Sequence, residues 1–326
     1  MTELQRYYGA MVGTLCGDAL GAPYEWKSPE EISADMQQRG GTDPNAYEPF
    51  DYIDPWKKQR LISKGQPTDD SELAAALGRS LASGTVFDPA HTYEHLRSFI
   101  HGRKSILTET AYGTGGTLRA ALAPPTYEES VSKFSNGEIP TPPSNGSLMR
   151  CIAVPLRTFP HIHRAIELAE KQSIITHRNP SAVAACIAYS VLVRFVLCEV
   201  PPADAWEKTI EVLKNIPSRM NPAMEEILAI KLTGPEYGAE MKNKEGWVFL
   251  SLRIAVWASA TATSFADGIM KSIRVGGDTD TYAAIAGGIL GAHFGIRGIP
   301  PAWRAVLQGQ DVMLAIAESL YGISHP

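Results

Sequence analysis

The sequence predicts an all-α protein. Two observations carry that expectation: apolar residues recur at three- and four-residue spacings along most of the chain, and alternating strand-like runs are scarce. Composition adds that the helices have a core to bury. Of 326 residues, 44% are apolar and 20% charged, which excludes general disorder. The length fits one large domain or two ordinary ones. Residues 1–326 are read as a single domain, because candidate functional residues lie on both sides of each proline-rich interruption.

The first helix is expected over Glu3–Leu20, with Leu4, Tyr8, Met11 and Leu15 at helical spacing. Ser71–Ser83 (SELAAALGRSLAS) is rich in Ala and Leu, both strong helix formers. The period continues through His91–Arg103, Thr110–Leu122, His163–Ile175, Ala182–Leu197, Pro202–Ile216 and Met224–Ile230. Gly246–Ala260, Ser264–Ile273, Thr279–Phe294 and Ala302–Leu320 complete the set. Two segments break the pattern. Residues 27–67 carry Pro29, Pro44, Pro49, Pro55 and Pro67, and residues 124–146 carry Pro124, Pro125, Pro140, Pro142 and Pro143. Both are expected to be long irregular loops, a kind of segment that often carries function.

Thirty basic residues against 35 acidic ones give a net charge of −5, which argues against a nucleic-acid-coating surface. The N-terminus lacks the basic and apolar regions of a signal peptide. No run reaches the ~18 uninterrupted apolar residues of a membrane span. The most apolar candidate, Ala283–Ile296, is short, rich in small residues and holds His293, so it reads as a buried helix. Cys16, Cys151, Cys186 and Cys198 form no C-x-x-C pair and read as small buried hydrophobes in a reducing compartment. A cytoplasmic protein without a membrane partner is the expectation.

Two acidic clusters open helices. In Pro67-Thr68-Asp69-Asp70-Ser71-Glu72, Asp69 as N-cap and Glu72 three residues on make a capping-box pattern. In Gly276-Gly277-Asp278-Thr279-Asp280-Thr281, an aspartate cap is again the plain reading. Together they mean more. Carboxylates from two distant helix starts, converging on one place, repel one another unless cations stand between them. An oxygen-only donor set suits Mg²⁺ or Mn²⁺ and not zinc, and two such ions can orient a substrate oxygen and activate a water. A third acidic group lies in Gly17-Asp18 to Tyr24-Glu25. Asp18 reads as a buried cap for a neighbouring helix, or as a partner of these clusters; Glu25 reads as a solvated loop carboxylate or as part of the site.

Three further segments attract notice. Ser144-Asn145-Gly146-Ser147-Leu148-Met149-Arg150 precedes an apolar helix; free N–H groups at such a start can bind an anion or simply be capped. Tyr112-Gly113-Thr114-Gly115-Gly116-Thr117 could approach a phosphate closely, but it follows no strand and lacks a P-loop lysine. His177, in Thr176-His177-Arg178-Asn179-Pro180, lies between two helices and reads as structural when taken alone.

In this order, these segments resemble the ADP-ribosylglycohydrolase family. GDALGAPYE (17–25), PTDDSEL (67–73), YGTGG (112–116), SNGSLMR (144–150), TH (176–177) and GGDTDTYAAIAGGILGAHFG (276–295) carry the resemblance across nearly the whole chain. It implies a single compact orthogonal multi-helix bundle with a binuclear Mg²⁺ or Mn²⁺ centre. Thr68, Asp69, Asp70, Asp278, Asp280 and Thr281 match the metal-ligand positions, and Glu25 matches a glutamate near the metals and the scissile bond. Catalysis falls to Glu25, Asp69 and Asp280. Asn145, Gly146 and Ser147 fall in the diphosphate-binding segment and His177 beside the ADP-ribose. Gly113 and Gly115 fall in a loop over the ribose. Ser71 stands where many members carry threonine, and its hydroxyl is kept. The implied activity is hydrolysis of the bond joining ADP-ribose to a protein, arginine-linked above others, or to a small conjugate. The rivals are another linkage (O-acetyl, serine or nucleic acid), a phosphohydrolase releasing AMP, and a non-catalytic ADP-ribose-binding protein.

Overall fold

Thr2 and Gln5 start the first helix by a reciprocal capping box, and in a computed structural model α1 then runs over Glu3–Gly21. The structure describes all residues except 40–42, 45–46, 54–60, 85, 103–104, 110–111, 217–220, 242 and 326. The helices that follow are α2 (Pro29–Arg39), α3 (Asp69–Ala82), α4 (Pro89–Gly102), α5 (Gly116–Leu122), α6 (Tyr127–Ser135), α7 (Ala153–Thr158), α8 (Ile162–Ser173) and α9 (Pro180–Leu197). Then come α10 (Pro202–Leu213), α11 (Asn221–Leu228), α12 (Val248–Ala260), α13 (Phe265–Arg274), α14 (Thr279–Phe294), α15 (Pro301–Arg304) and α16 (Gln310–Ser324).

The helical expectation holds, and α1 and α14 form its axis. Both are buried along nearly their whole length, so neither has a polar face and only close neighbours can cover them. Helices α9, α12 and α13 pack on α14, α16 and α3 pack on α1, and α7 joins α3, α16 and α9. Tyr7, Met11, Leu15, Ile289 and Trp303 belong to one buried apolar cluster that draws on most of these helices. Burying each such side chain stabilises by roughly 1.5–3 kcal/mol.

The two proline-rich interruptions are more ordered than expected. Ser28 and Glu31 cap α2 reciprocally, Ser28 N–H donating to Glu31 Oε2 at 2.7 Å and Glu31 N–H to Ser28 Oγ at 3.3 Å. Pro29 is then the first helical residue, where a missing N–H costs nothing. Thr126 likewise caps α6 by accepting from Glu129 N–H. β1 (Tyr52–Ile53) and β2 (Leu61–Ile62) pair antiparallel as a small ribbon; Pro55 lies outside the described residues.

Other boundaries move for local reasons. The helix expected over Thr110–Leu122 starts at Gly116, after a loop in which Gly113 takes a left-handed φ of 79°; Thr110 lies outside the described residues, as does Arg103. The helix expected over Ala302–Leu320 is two, α15 and α16, parted at Gly309 with φ 81°. The helix long and apolar enough to cross a membrane is α9 and not Ala283–Ile296, with mean hydropathy 1.8 and 78% of its residues buried. That burial is what a core helix needs. Cys16, Cys151 and Cys186 are buried as expected, whereas Cys198, just past the end of α9, is exposed.

Candidate metal centre and binding cleft

The site is built by backbone contact. Along α1, Gly9, Gly13, Gly17 and Gly21 recur every fourth residue and so share one face. A Cβ on them would stand 2.1 Å from Gly291 O, 2.2 Å from Gly287 O, 1.9 Å from Ala283 O and 2.4 Å from Thr279 O. The two antiparallel helices therefore touch main chain to main chain, a distance that only missing side chains allow. Thr279 Oγ1 donates to Gly21 O at 2.8 Å and pins the last turn. The end of α1 and the start of α14 are thereby held side by side.

Two further contacts complete the frame. Gly276 and Gly277 take φ values of 75° and 81°. That turn lets Trp26 N–H donate to Gly277 O at 2.7 Å and Gly277 N–H donate to Lys27 O at 3.0 Å. Asp18, fully buried, is the cap of α3. Its carboxylate accepts from Thr68 N–H at 3.0 Å, Thr68 Oγ1 at 2.9 Å and Ser71 N–H at 2.9 Å. The capping-box expectation at Asp69 and Glu72 is corrected. Thr68 is the N-cap, and Glu72 turns away to accept from Ile106 N–H at 2.7 Å and Leu107 N–H at 3.1 Å. Asp18 satisfies the helix start instead, so Asp69 and Asp70 need not.

The freed carboxylates gather. Single oxygens of Glu25, Asp278 and Asp280 all lie within 4.8 Å of one another. Asp70 lines the same cleft, with Oδ1 fully buried and no hydrogen-bond partner. Asn145 Nδ2 donates to Asp278 Oδ2 at 2.6 Å and fixes its rotamer. Burial comes first and neighbouring negative charge second in raising these acids. Asp69 is pushed up to about 8, mainly by burial, then by Asp280 and Asp18. Glu25 is pushed up to about 10 by burial and by the charges of Asp280, Asp278 and Asp69. Asp70 and Asp280 are displaced well upward for the same reasons. A set of acids that cannot ionise together, with one oxygen orphaned, fits a cation-binding role. The donors are carboxylates with Thr281 beside them, which is hard-cation chemistry.

The other end of the cleft is neutral and rigid. A Cβ on Gly146 would stand 2.9 Å from His177 Nε2, so the glycine lets the loop lie directly on the imidazole. Arg150, fully buried, donates to Gln172 Oε1 at 3.0 Å, Gln172 O at 2.9 Å and Thr176 Oγ1 at 2.9 Å. The Thr176 hydroxyl and His177 Nδ1 share a hydrogen bond of 2.8 Å, which leaves Nε2 facing Gly146. Burial comes first and Arg150 second in lowering His177 to about 3, so the imidazole stays neutral.

One cleft of about 400 Å³ is lined by Glu25, Asp69, Asp70, Gly113, Gly115, Asn145, Gly146, His177, Asp278, Asp280 and Thr281. This falls in the usual range for small-ligand sites. Gly113 closes over Asp69, since a Cβ there would meet Asp69 Oδ1 at 2.3 Å. Two of the residues singled out in the sequence stand behind the wall. Thr68 Oγ1 bonds Asp18 and Asp70. Ser147 Oγ bonds Ser173 Oγ at 2.9 Å and accepts from Cys186 Sγ at 3.5 Å. Trp26 and Arg150 were not foreseen. The Ser28-Pro29-Glu30 and Gly276-Gly277-Asp278 strings give no hint of the first, and an arginine in an apolar run is a weak hint of the second. A larger hollow of about 740 Å³, around Ser80, His91 and Arg157, contains none of these residues.

His177 yields a pH prediction. Its folded pKa lies below its unfolded one, so the unfolded chain binds the proton first and folding loses stability as pH falls. The contribution is complete above about 6.5 and is lost progressively toward about 3. On going from pH 7 to pH 5, wild type should lose about 2 kcal/mol more than His177→Gln. Urea unfolding at both pH values checks this, and equal losses would refute it. The raised carboxylates act with the opposite sign but equally in both proteins.

Comparison with known proteins accords with this geometry. A family model described as ADP-ribosylglycohydrolase matches residues 1–325. The chain is similar to ADP-ribosylarginine hydrolase Tri1 from Serratia proteamaculans, 26% identical over 323 residues, covering 98% of this chain and 80% of that protein. It is similar to ADP-ribosyl-dinitrogen reductase glycohydrolase from Rhodospirillum rubrum, 25% identical over 328 residues and covering 96% of each. A solved structure titled ADP-ribosylglycohydrolase-related protein complex superimposes with TM-score 0.74 at 25% identity, covering 99% of both chains.

Proposed function

The chain belongs to the ADP-ribosylglycohydrolase family and is a hydrolase of ADP-ribosyl glycosidic bonds, and on that premise we propose that it removes ADP-ribose from arginine side chains of modified proteins. The observation that carries this reading is the meeting of Glu25, Asp278 and Asp280 at one end of a cleft whose other end is Gly146 and His177. The name of the Serratia relative supports the arginine linkage.

Asp69, Asp70, Asp278, Asp280 and Thr281 would hold two divalent cations, Mg²⁺ or Mn²⁺, with Thr68 behind them, its hydroxyl on Asp70. When bound, such ions polarise ribose oxygens and lower the pKa of a bound water. The residues themselves divide the remaining work. His177 and the close backbone at Gly146 would hold the diphosphate, with the buried Arg150 guanidinium behind them. Gly113 and Gly115 bring main chain over the ribose. Breaking the glycosidic bond builds positive character at C1″ of the ribose, which Asp69 and Asp280 would stabilise. Glu25 is placed to exchange a proton with the attacking water or the departing nitrogen. Asn145 keeps Asp278 from swinging into the space the ribose needs. We take residues 1–326 to act as one domain, supported by the continuous core cluster, and in the cytoplasm, supported by four free cysteines.

The test is release of free ADP-ribose from an arginine-ADP-ribosylated protein, with Mg²⁺, with Mn²⁺ and with chelator. Metal-dependent release of intact ADP-ribose is expected. Release only from an O-linked conjugate would reassign the linkage, and AMP as product would reassign the bond.

A further inference from the structure

Trp26 is held in a conformation and an exposure that bulky aromatic residues normally avoid. Its φ is 65°, in the left-handed region, where a large side chain is an outlier. Its ring is 45% exposed, and it is the one aromatic among the highly exposed large apolar residues described. The fold enforces both features, because the Trp26 N–H to Gly277 O bond at 2.7 Å ties this residue to the turn that places Asp278. Strain maintained at the edge of a site, with no packing gained, is characteristic of a ligand contact.

Its surroundings narrow the ligand. Trp26 follows Glu25 and lines the acidic end of the cleft, and it also lines an adjoining outer groove with Pro142, Pro143 and Trp247. With Ser144 and Gly246 it lines both, so it stands between the cleft and the outside. The indole carries one polar atom, its N–H, and otherwise offers a broad flat π face. In the same groove Lys244 Nζ already stands 5.4 Å from the Trp247 ring, a cation over an indole.

We propose that Trp26 recognises the leaving group, its indole face stacking on the planar guanidinium of the modified arginine as that side chain enters from the outer groove. This rests on the arginine reading above. A guanidinium suits the place better than a neutral group does, because it combines a flat surface with positive charge beside Glu25, Asp278 and Asp280.

The experiment compares wild type, Trp26→Phe, Trp26→Leu and Trp26→Ala in Mg²⁺. It measures hydrolysis of ADP-ribosyl-arginine and, by calorimetry, binding of free ADP-ribose. Trp26→Ala and Trp26→Leu should each lose about tenfold in kcat/KM, chiefly through KM, the size of one desolvated cation–π contact. Trp26→Phe should stay within about threefold, because it keeps an aromatic face. ADP-ribose affinity should be unchanged in all four. An equal loss of ADP-ribose affinity would place the indole at the adenosine end and overturn the proposal. So would a Trp26→Phe as impaired as Trp26→Ala, which would make the indole N–H and not the aromatic face the working part, or unchanged kinetics in Trp26→Ala. A wild type that binds ADP-ribose but leaves ADP-ribosyl-arginine intact would fail at the arginine reading itself, and this proposal with it.

Discussion

Asp280→Asn should lower the turnover number by on the order of a thousandfold while leaving the helical fold intact. Asp280 is almost fully buried, faces Glu25 and Asp278, and raises the pKa of Asp18, Glu25, Asp69 and Asp70. The amide keeps the shape and removes the charge. A cation loses an anionic ligand, so its affinity drops. Stability should move the other way. A carboxyl whose folded pKa is raised costs stability once the pH exceeds its unfolded value, because folding must then either recapture a proton or bury a charge. In chelator at pH 7 to 8, Asp280→Asn should therefore melt above wild type. Adding Mg²⁺ or Mn²⁺ should raise the midpoint of wild type more than that of the variant. Thermal melts with and without metal, beside the activity assay, check all three effects. Full activity in the variant, or equal metal-induced shifts, would defeat the cation reading of this cluster.

Gly13→Val should be the most damaging single change far from the cleft. The Cβ alone would stand 2.2 Å from Gly287 O and 3.2 Å from Gly291 Cα, and both neighbours are backbone or tied to it, so the helices must part. Overpacking typically costs 1–3 kcal/mol, and this clash should reach about 3 kcal/mol or more because no side chain can rotate away. Activity should fall as well, since parting α1 from α14 separates Asp18 and Glu25 from Asp278 and Asp280. Gly322→Ala is the control. It lies in α16 with nothing within 4 Å of the new methyl group, and it should stabilise by about 0.5–1 kcal/mol. A wild-type-like melting curve for Gly13→Val would mean that the main-chain contact is looser than these distances require.

What the chain revealed in one dimension was mostly local. Helical spacing located α1, α3, α9, α12, α13 and α14, because burial of one stripe or of a whole helix leaves its period in the sequence. The misses were also local. Pro29 was counted as a breaker, although Ser28-Pro29-Glu30-Glu31 is a helix start with proline at its first position. Thr126 and Glu129 spell the same start for α6. Asp69 was read as a cap because an aspartate before Ser-Glu fits that pattern. The real cap arrives from Asp18, 50 residues earlier than Thr68, and no local pattern contains it.

By itself the sequence marked the candidates for chemistry: carboxylates at two helix starts, glycines beside them, and an Asn-Gly turn before an apolar helix. Side-chain type and capping geometry belong to a few consecutive residues, so these are legible without a fold. Only the tertiary structure decided that they form one site. The four-residue glycine spacing on α1 acquires its meaning from Ala283, Gly287 and Gly291 on a helix more than 250 residues away. Burial and mutual repulsion then raise the acids, and burial beside Arg150 keeps His177 neutral. These are properties of distance and dielectric between segments, and they exist only once the chain has packed.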